Sequence, residues 1–429
     1  MIRVVIFFSL WLPPLFTSAQ LTTSGLDSLF NRLAANQLAK GSIAITQNGE
    51  LRYQRSVGSD QLAQTQFRVG SITKIFTAVL VYQLIEAHQL RLTDKLSRFF
   101  PDLANAHTIT IAQLVGHRSG LASFTNNTDY DTWKDQPKTH AELLTMIKTQ
   151  KPDFEPDARA DYNNSNYLLL SYILEQLYRK PYKAIVTEKI IQPLALKHTY
   201  YGDHAGFQAQ EAVSYKYVNQ AWKADRAAYL DNFSGAGAIL STPGDLCQFI
   251  TSLFSGRLIS QQSLDTMKQM QDGYGKGLFP YGDALHPGYG HNGKTEGFAA
   301  SLQYYPQSHL AIAYCTNGEV YPKAQILQHV FKACFGMADT LPTFKPIALT
   351  SPQLEPFTGR YGASSGMEVS NRLDSGKLLL SLKGQDFELT PIATNEFWNK
   401  AYGFFFRFAN GGQQLMIHDV DAIYELTKR

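Results

Sequence analysis

The sequence predicts an α/β chain of the α+β kind: an antiparallel sheet flanked by helices, with a helical lobe, followed by a small C-terminal antiparallel β-barrel. Three observations point there. Asn48-Gly49 between residues 42–47 and 51–56 is the two-residue signal of a type I′ hairpin. Residues 298–305 and 310–315 read as a second hairpin around Pro306-Gln307-Ser308-His309, and the two hairpins would share one sheet. Beyond residue 340 the apolar pattern changes to period two. At 429 residues the chain exceeds what one compact core usually holds, so two domains are expected.

Taken in order, Met1-Ile2-Arg3 carries one positive charge, residues 4–16 are apolar but broken by Pro13-Pro14, and Thr17-Ser18-Ala19 offers small residues for cleavage before Gln20. Residues 1–19 therefore read as a secretory signal peptide, and the protein is expected to be exported, periplasmic or extracellular. The apolar run is shorter than the roughly 20 residues of a membrane span. After the first hairpin, Ile75, Phe76, Val79, Leu80, Leu84 and Ile85 recur at helical period and predict an amphipathic helix from about 71 to 87. Residues 95–230 are rich in helical pattern and would form the second lobe. Thr242 as N-cap, Pro243 at the first helical position and Asp245 at the positive end open a further helix. Leu341-Pro342-Thr343-Phe344-Lys345-Pro346, with Pro352 and Pro356, interrupts regular structure, which bounds a first domain at 20–340, a linker at 341–352 and the barrel at 353–429. Barrel strands are read at 377–382, 387–390, 404–408, 414–417 and 422–426.

The chemistry concentrates in three short motifs. Ser71-Ile72-Thr73-Lys74 stands at the head of the predicted helix, where positions i and i+3 share a face and the Lys74 amine can reach the Ser71 hydroxyl. The serine N–H would be an orphan donor at the helix start, placed to stabilise an oxyanion. Tyr162-Asn163-Asn164 follows about ninety residues later: a phenol can relay the nucleophile's proton if a nearby cation lowers its pKa, and the Asn164 amide can hold the lysine and a substrate carbonyl. Tyr217-Val218-Asn219 has the same spacing but no helix after it to anchor a loop. His291-Asn292-Gly293 precedes the second hairpin, whose edge would wall a cleft, supply a backbone N–H and let substrate approach the main chain at Gly293. His286-Pro287-Gly288 and His204-Ala205-Gly206 match that pattern in loop-like sequence without a strong strand to follow.

The order Ser-x-x-Lys, Tyr-x-Asn, His-x-Gly resembles the serine β-lactamase and penicillin-binding protein family, on the branch of class C β-lactamases, D-alanyl-D-alanine carboxypeptidases, D-aminopeptidases and related esterases. Further landmarks carry the likeness over about residues 25–335: Phe67-Arg68-Val69-Gly70, Leu114-Val115-Gly116-His117-Arg118-Ser119-Gly120-Leu121, Asn164-Ser165-Asn166-Tyr167-Leu168-Leu169-Leu170, and Gly235-Ala236-Gly237 leading to Ser241-Thr242-Pro243-Gly244-Asp245-Leu246. The resemblance implies a β-lactamase/transpeptidase-like fold and an acyl-enzyme on Ser71, with Lys74 and Tyr162 sharing general-base and general-acid duty. It places Asn164 against Lys74 and the substrate amide, His291 and Gly293 along the strand side, and the backbone N–H groups of Ser71 and Lys294 in the oxyanion hole. The third motif departs from the lysine-threonine-glycine of a dedicated β-lactamase and looks more like the carboxypeptidase and D-aminopeptidase relatives. The expected activity is hydrolysis of D-amino-acid peptides of cell-wall origin, with an esterase or β-lactamase on the same machinery, or an idle binder of muropeptides or penicillins, as alternatives. The C-terminal pattern looks like the lipocalin-like appendage of some family members.

Composition excludes several other classes. The net charge of +3 is small and dispersed, so nucleic-acid binding gains no support. The eleven histidines show no metal-ligand spacing, and Gly235-Ala236-Gly237 lacks a dinucleotide-binding context, so no metal or cofactor is expected. Cys247, Cys315 and Cys334 are an odd number without C-x-x-C and read as buried thiols.

Overall fold

The computed structural model describes residues 23–58, 64–204, 206–218, 221–363, 366–418 and 423–429; the proposed signal segment 1–19 lies outside them. The hairpin Ala39–Gln47/Glu50–Val57 turns at Asn48 and Gly49, both at positive φ (55° and 81°), as a type I′ turn requires. It joins Leu310–Glu319, Phe298–Tyr305, Pro287–Thr295 and Phe279–Gly282 in one antiparallel sheet of six strands in that order. The two hairpins thus meet in one sheet, through pairing of Ala39–Gln47 with Leu310–Glu319.

Side chains alternate across this sheet and build two cores. Ile43, Ile45, Ile312 and Tyr314 pack with the helices Thr23–Ala35 and Lys323–Cys334. Ala44, Ala300, Leu302, Ala311, Ala313 and Cys315 face the other way, into the core shared with Thr73–Glu86, Asn164–Tyr178 and Pro243–Phe254. Thr242 caps the last of these by accepting from the Asp245 N–H at 3.2 Å. Phe76 and Phe249 stack at 3.7 Å and tie the serine helix to it.

Two corrections bear on the site. The serine helix is not amphipathic: from Thr73 to Tyr82 every residue is buried, including Lys74, as expected of a helix enclosed by core on all sides. It runs over Thr73–Glu86, and Ser71 sits in a short 3-10 turn, Gly70–Ile72, that leads into it. The sequence around His286 is also not loop alone, because a strand begins at Pro287 and carries His291-Asn292-Gly293 inside it rather than before it.

The C-terminal segment is a closed antiparallel barrel of eight strands between Gly359 and Lys428, three more than the period-two pattern marks. The additional strands are Gly359–Gly362, Glu368–Asp374 and Glu396–Asn399. Its outer face meets the main sheet's second core through Ile392, Trp398 and Phe405, which pack with Tyr321 and Phe344. Among the described residues no helix is long and apolar enough to cross a membrane. All three cysteines are free and buried.

Candidate active site

Ser71 is half-buried, at the junction of the 3-10 turn and the Lys74 helix. Gly70 precedes it at φ +51°, where a side chain would be strained and a Cβ would lie 2.7 Å from the Lys294 backbone nitrogen. The Lys74 amine is fully buried and has three partners: the Ser71 hydroxyl at 3.0 Å, Asn164 Oδ1 at 2.8 Å and the Ala236 carbonyl at 2.9 Å. Burial holds its pKa well below the ordinary 10.5. A neutral amine offers two N–H donors and one lone pair, and two of the partners are pure acceptors. In its neutral form the amine donates to Asn164 and Ala236, and its lone pair is left for the serine proton.

That arrangement is held from several sides. The Asn164 amide is oriented by donating through Nδ2 to Thr125 Oγ1 at 2.9 Å, so its oxygen faces Lys74. Thr77 donates to the Gly235 carbonyl at 2.6 Å, next to Ala236, and Gly235 at φ +69° packs against Ser171 and Tyr167 without room for a side chain. Tyr162 lies with its ring 4.8 Å from the Lys74 nitrogen. Burial pushes its phenol pKa up and proximity to Ser71 offsets part of the rise, although its hydroxyl makes no hydrogen bond of full geometry.

Pro287–Thr295 supplies the wall opposite. Gly293 faces the turn before Ser71: a Cβ there would stand 2.8 Å from the Val69 carbonyl carbon, closer still to its oxygen, and 3.2 Å from the Ser71 nitrogen. His291 is buried, stacks on Phe279 at 4.3 Å and lies 6.1 Å from the Tyr162 ring. Its Nδ1 donates to the Asn292 carbonyl and its Nε2 has no partner among the described residues. Burial lowers its pKa to about 3, so the ring is neutral. Asn292 and Lys294 alternate with these two and are exposed.

The structure thus gathers Ser71, Lys74, Tyr162, Asn164, His291, Gly293 and the Lys294 backbone at one place. The alternatives lie elsewhere in role: Tyr217 packs on Trp222 in a separate hairpin, His204 binds Glu211, and His286 binds Asp283 in the turn before Pro287–Thr295. Asn219 and Ala205 fall outside the described residues. Sequence reasoning gave no role to His117, Thr125 or the Ala236 carbonyl. His117 and Ala236 stand in glycine-flanked landmarks, a signal of close backbone approach; Thr125 carried none.

The sequence and the fold are similar to those of known proteins. The family model for β-lactamase matches residues 26–333. Teichoic acid D-alanine hydrolase of Staphylococcus aureus strain MRSA252 is 28% identical over 262 residues, or 58% of this chain and 64% of that protein, so the chain spans less than two thirds of that relative's length. Among solved structures, D-amino acid amidase from Ochrobactrum anthropi SV3 complexed with D-phenylalanine is 25% identical, with TM-score 0.65 over 72% of this chain and 98% of its own. The octameric penicillin-binding protein homologue from Pyrococcus abyssi, 19% identical with TM-score 0.67, shares the fold over 95% of this chain and 99% of its own, barrel included. With well over half of its residues under the family match, the chain belongs to the β-lactamase family of serine hydrolases.

Proposed function

We propose that the chain is an exported hydrolase that cleaves D-aminoacyl esters, amides or short D-amino-acid peptides of cell-wall type through an acyl-enzyme on Ser71. The observation that carries this reading is the buried Lys74 amine, held by Asn164 and the Ala236 carbonyl at 3.0 Å from the Ser71 hydroxyl, where its neutral form turns the lone pair to the serine proton. Ser71 Oγ attacks the acyl carbon while its proton passes to Lys74. Tyr162, whose raised pKa keeps its proton at neutral pH, is the donor to the leaving oxygen or nitrogen, which makes Lys74 the first base and Tyr162 the acid. The oxyanion is met by the N–H groups of Ser71 and Lys294, on either side of the Gly70 and Gly293 contact. Lys74 passes the serine proton on to Tyr162 and is a free base again; water then enters and loses a proton to Lys74, which returns it to Ser71 Oγ as the acid is released.

Two observations support the D-aminoacyl class. The relatives named above are a D-alanine hydrolase and a D-amino acid amidase. The third motif also carries a neutral imidazole where the resemblance to a dedicated β-lactamase would put a lysine. Turnover of p-nitrophenyl D-alaninate, its L-enantiomer, D-alaninamide, a D-alanyl-D-alanine peptide and a chromogenic cephalosporin tests the reading. The D-ester and D-amide should turn over fastest. Fast cephalosporin turnover would replace the reading with a β-lactamase, and no burst with any donor would leave a binding protein. Export predicts a mature N-terminus at Gln20 in the extracytoplasmic fraction; an intact Met1 there would overturn it.

A further inference from the structure

Tyr162 is fastened on both sides by one residue. The Asp161 N–H donates to the His117 carbonyl at 2.9 Å, and the Asn163 N–H donates to His117 Nδ1 at 3.1 Å. The His117 ring lies 4.7 Å from the Tyr162 ring and 5.2 Å from that of Tyr167, with Tyr274 5.5 Å away on its edge. His117 also holds φ +60°, a region non-glycine residues occupy at a cost of order 1–3 kcal/mol and in which asparagine and histidine are enriched. A backbone strained in this way, with both its carbonyl and its ring engaged on one short segment, persists because the surroundings over-determine it.

We propose that His117 is a positioning residue for Tyr162, its carbonyl and Nδ1 gripping the amides that flank the tyrosine so that the phenol is held beside Ser71 and Lys74. The inference rests on the reading in which Tyr162 moves the proton. Because Nδ1 must accept from a backbone N–H, the working imidazole is neutral with its proton on Nε2. Burial holds the His117 pKa well below its ordinary value, in keeping with that form. The geometry also separates the grip from simple packing. An asparagine at 117 carries an oxygen where Nδ1 stands and tolerates positive φ, whereas a glutamine carries its acceptor one bond farther out.

The test compares His117→Asn with His117→Gln on p-nitrophenyl D-alaninate. His117→Asn should keep kcat within a few fold, and His117→Gln should lose about 10²-fold in kcat with KM little changed, the scale of a misplacement near 1 Å. Equal kcat in the two variants, at either level, would overturn the proposal. A measurement on the unaltered protein does not depend on either variant folding: the Asn163 amide should be among the slowest to exchange in native-state hydrogen exchange, and rapid exchange would overturn the grip. Tyr162→Phe separates the two layers, since full activity in that variant refutes the role of Tyr162 itself, whereas an inactive Tyr162→Phe beside an unimpaired His117→Gln refutes only the positioning by His117.

Discussion

Gly293→Ala places one methyl group at the close approach between the Pro287–Thr295 strand and the serine turn. The new Cβ would lie 2.8 Å from the Val69 carbonyl carbon and 3.2 Å from the Ser71 nitrogen. Carbon atoms rest at about 3.5–4.0 Å, so the strand and the turn must separate by roughly 1 Å. Neither partner is the far end of a flexible side chain, because both are main chain. The separation falls on the two N–H groups proposed for the oxyanion, and a shift of that size costs about 10²-fold in rate. Overpacking adds about 1–3 kcal/mol of destabilisation. The assay is kcat/KM on p-nitrophenyl D-alaninate together with the thermal midpoint, with Gly25→Ala as the control, since a Cβ at Gly25 meets nothing within 4 Å. A folded Gly293→Ala enzyme that keeps more than about a third of wild-type kcat/KM would refute the reasoning, because a 1 Å displacement of working donors is not tolerated so cheaply.

Four further outcomes are expected. The kcat/KM should rise with pH through the depressed pKa of Lys74, since only the neutral amine accepts the serine proton; Lys74→Arg should be inactive at every pH because a guanidinium keeps its protons, and an active arginine enzyme would remove Lys74 as base. The same depression means that between the lowered folded pKa and about 10.5 the unfolded chain binds a proton at Lys74 that the folded one lacks, so this residue makes stability, read as the urea midpoint, rise with pH over that range. Arg68 and Glu211 form an ion pair at 2.5 Å with both side chains fully buried, so Arg68→Met should lower the unfolding free energy in urea by about 3–5 kcal/mol; a loss below 1 kcal/mol would show that Glu211 finds its charge partner elsewhere. Trp398→Ala at the contact between barrel and sheet should lower stability by about 3–5 kcal/mol and leave kcat/KM on small esters unchanged, and a selective loss of activity would tie the barrel to the site.

What can be read from the sequence follows from where local chemistry and tertiary structure agree. Ser71 and Lys74 are one helical turn apart, so their contact is fixed by the chain itself, and the Asn48-Gly49 turn is equally local. Tyr162 and Asn164 are legible because an apolar helix follows them and anchors the loop. The Pro287–Thr295 strand is not, and the cause lies in how closely it is packed. In Pro287–Thr295, Gly288 and Gly290 lie against Tyr305 and the Leu302 backbone, and Gly293 lies against Val69. Close main-chain approach removes the branched side chains that mark a strand. In the barrel, Glu368–Asp374 turns Asn371 inward, where its amide donates to the Phe357 carbonyl at 3.1 Å, and this polar interior residue breaks the apolar alternation. The tether of Lys74 to the Ala236 carbonyl joins groups 162 residues apart and has no side-chain signature at all.

The central claim is that the hydroxyl of Ser71, activated by the buried Lys74 amine, becomes covalently acylated. Peptide mass spectrometry after reaction with a serine-directed phosphonate tests it most directly. The account predicts a single adduct on Ser71, absent from Ser71→Ala and strongly slowed in Lys74→Arg. An adduct that persists in Ser71→Ala, or one on another residue, would contradict it.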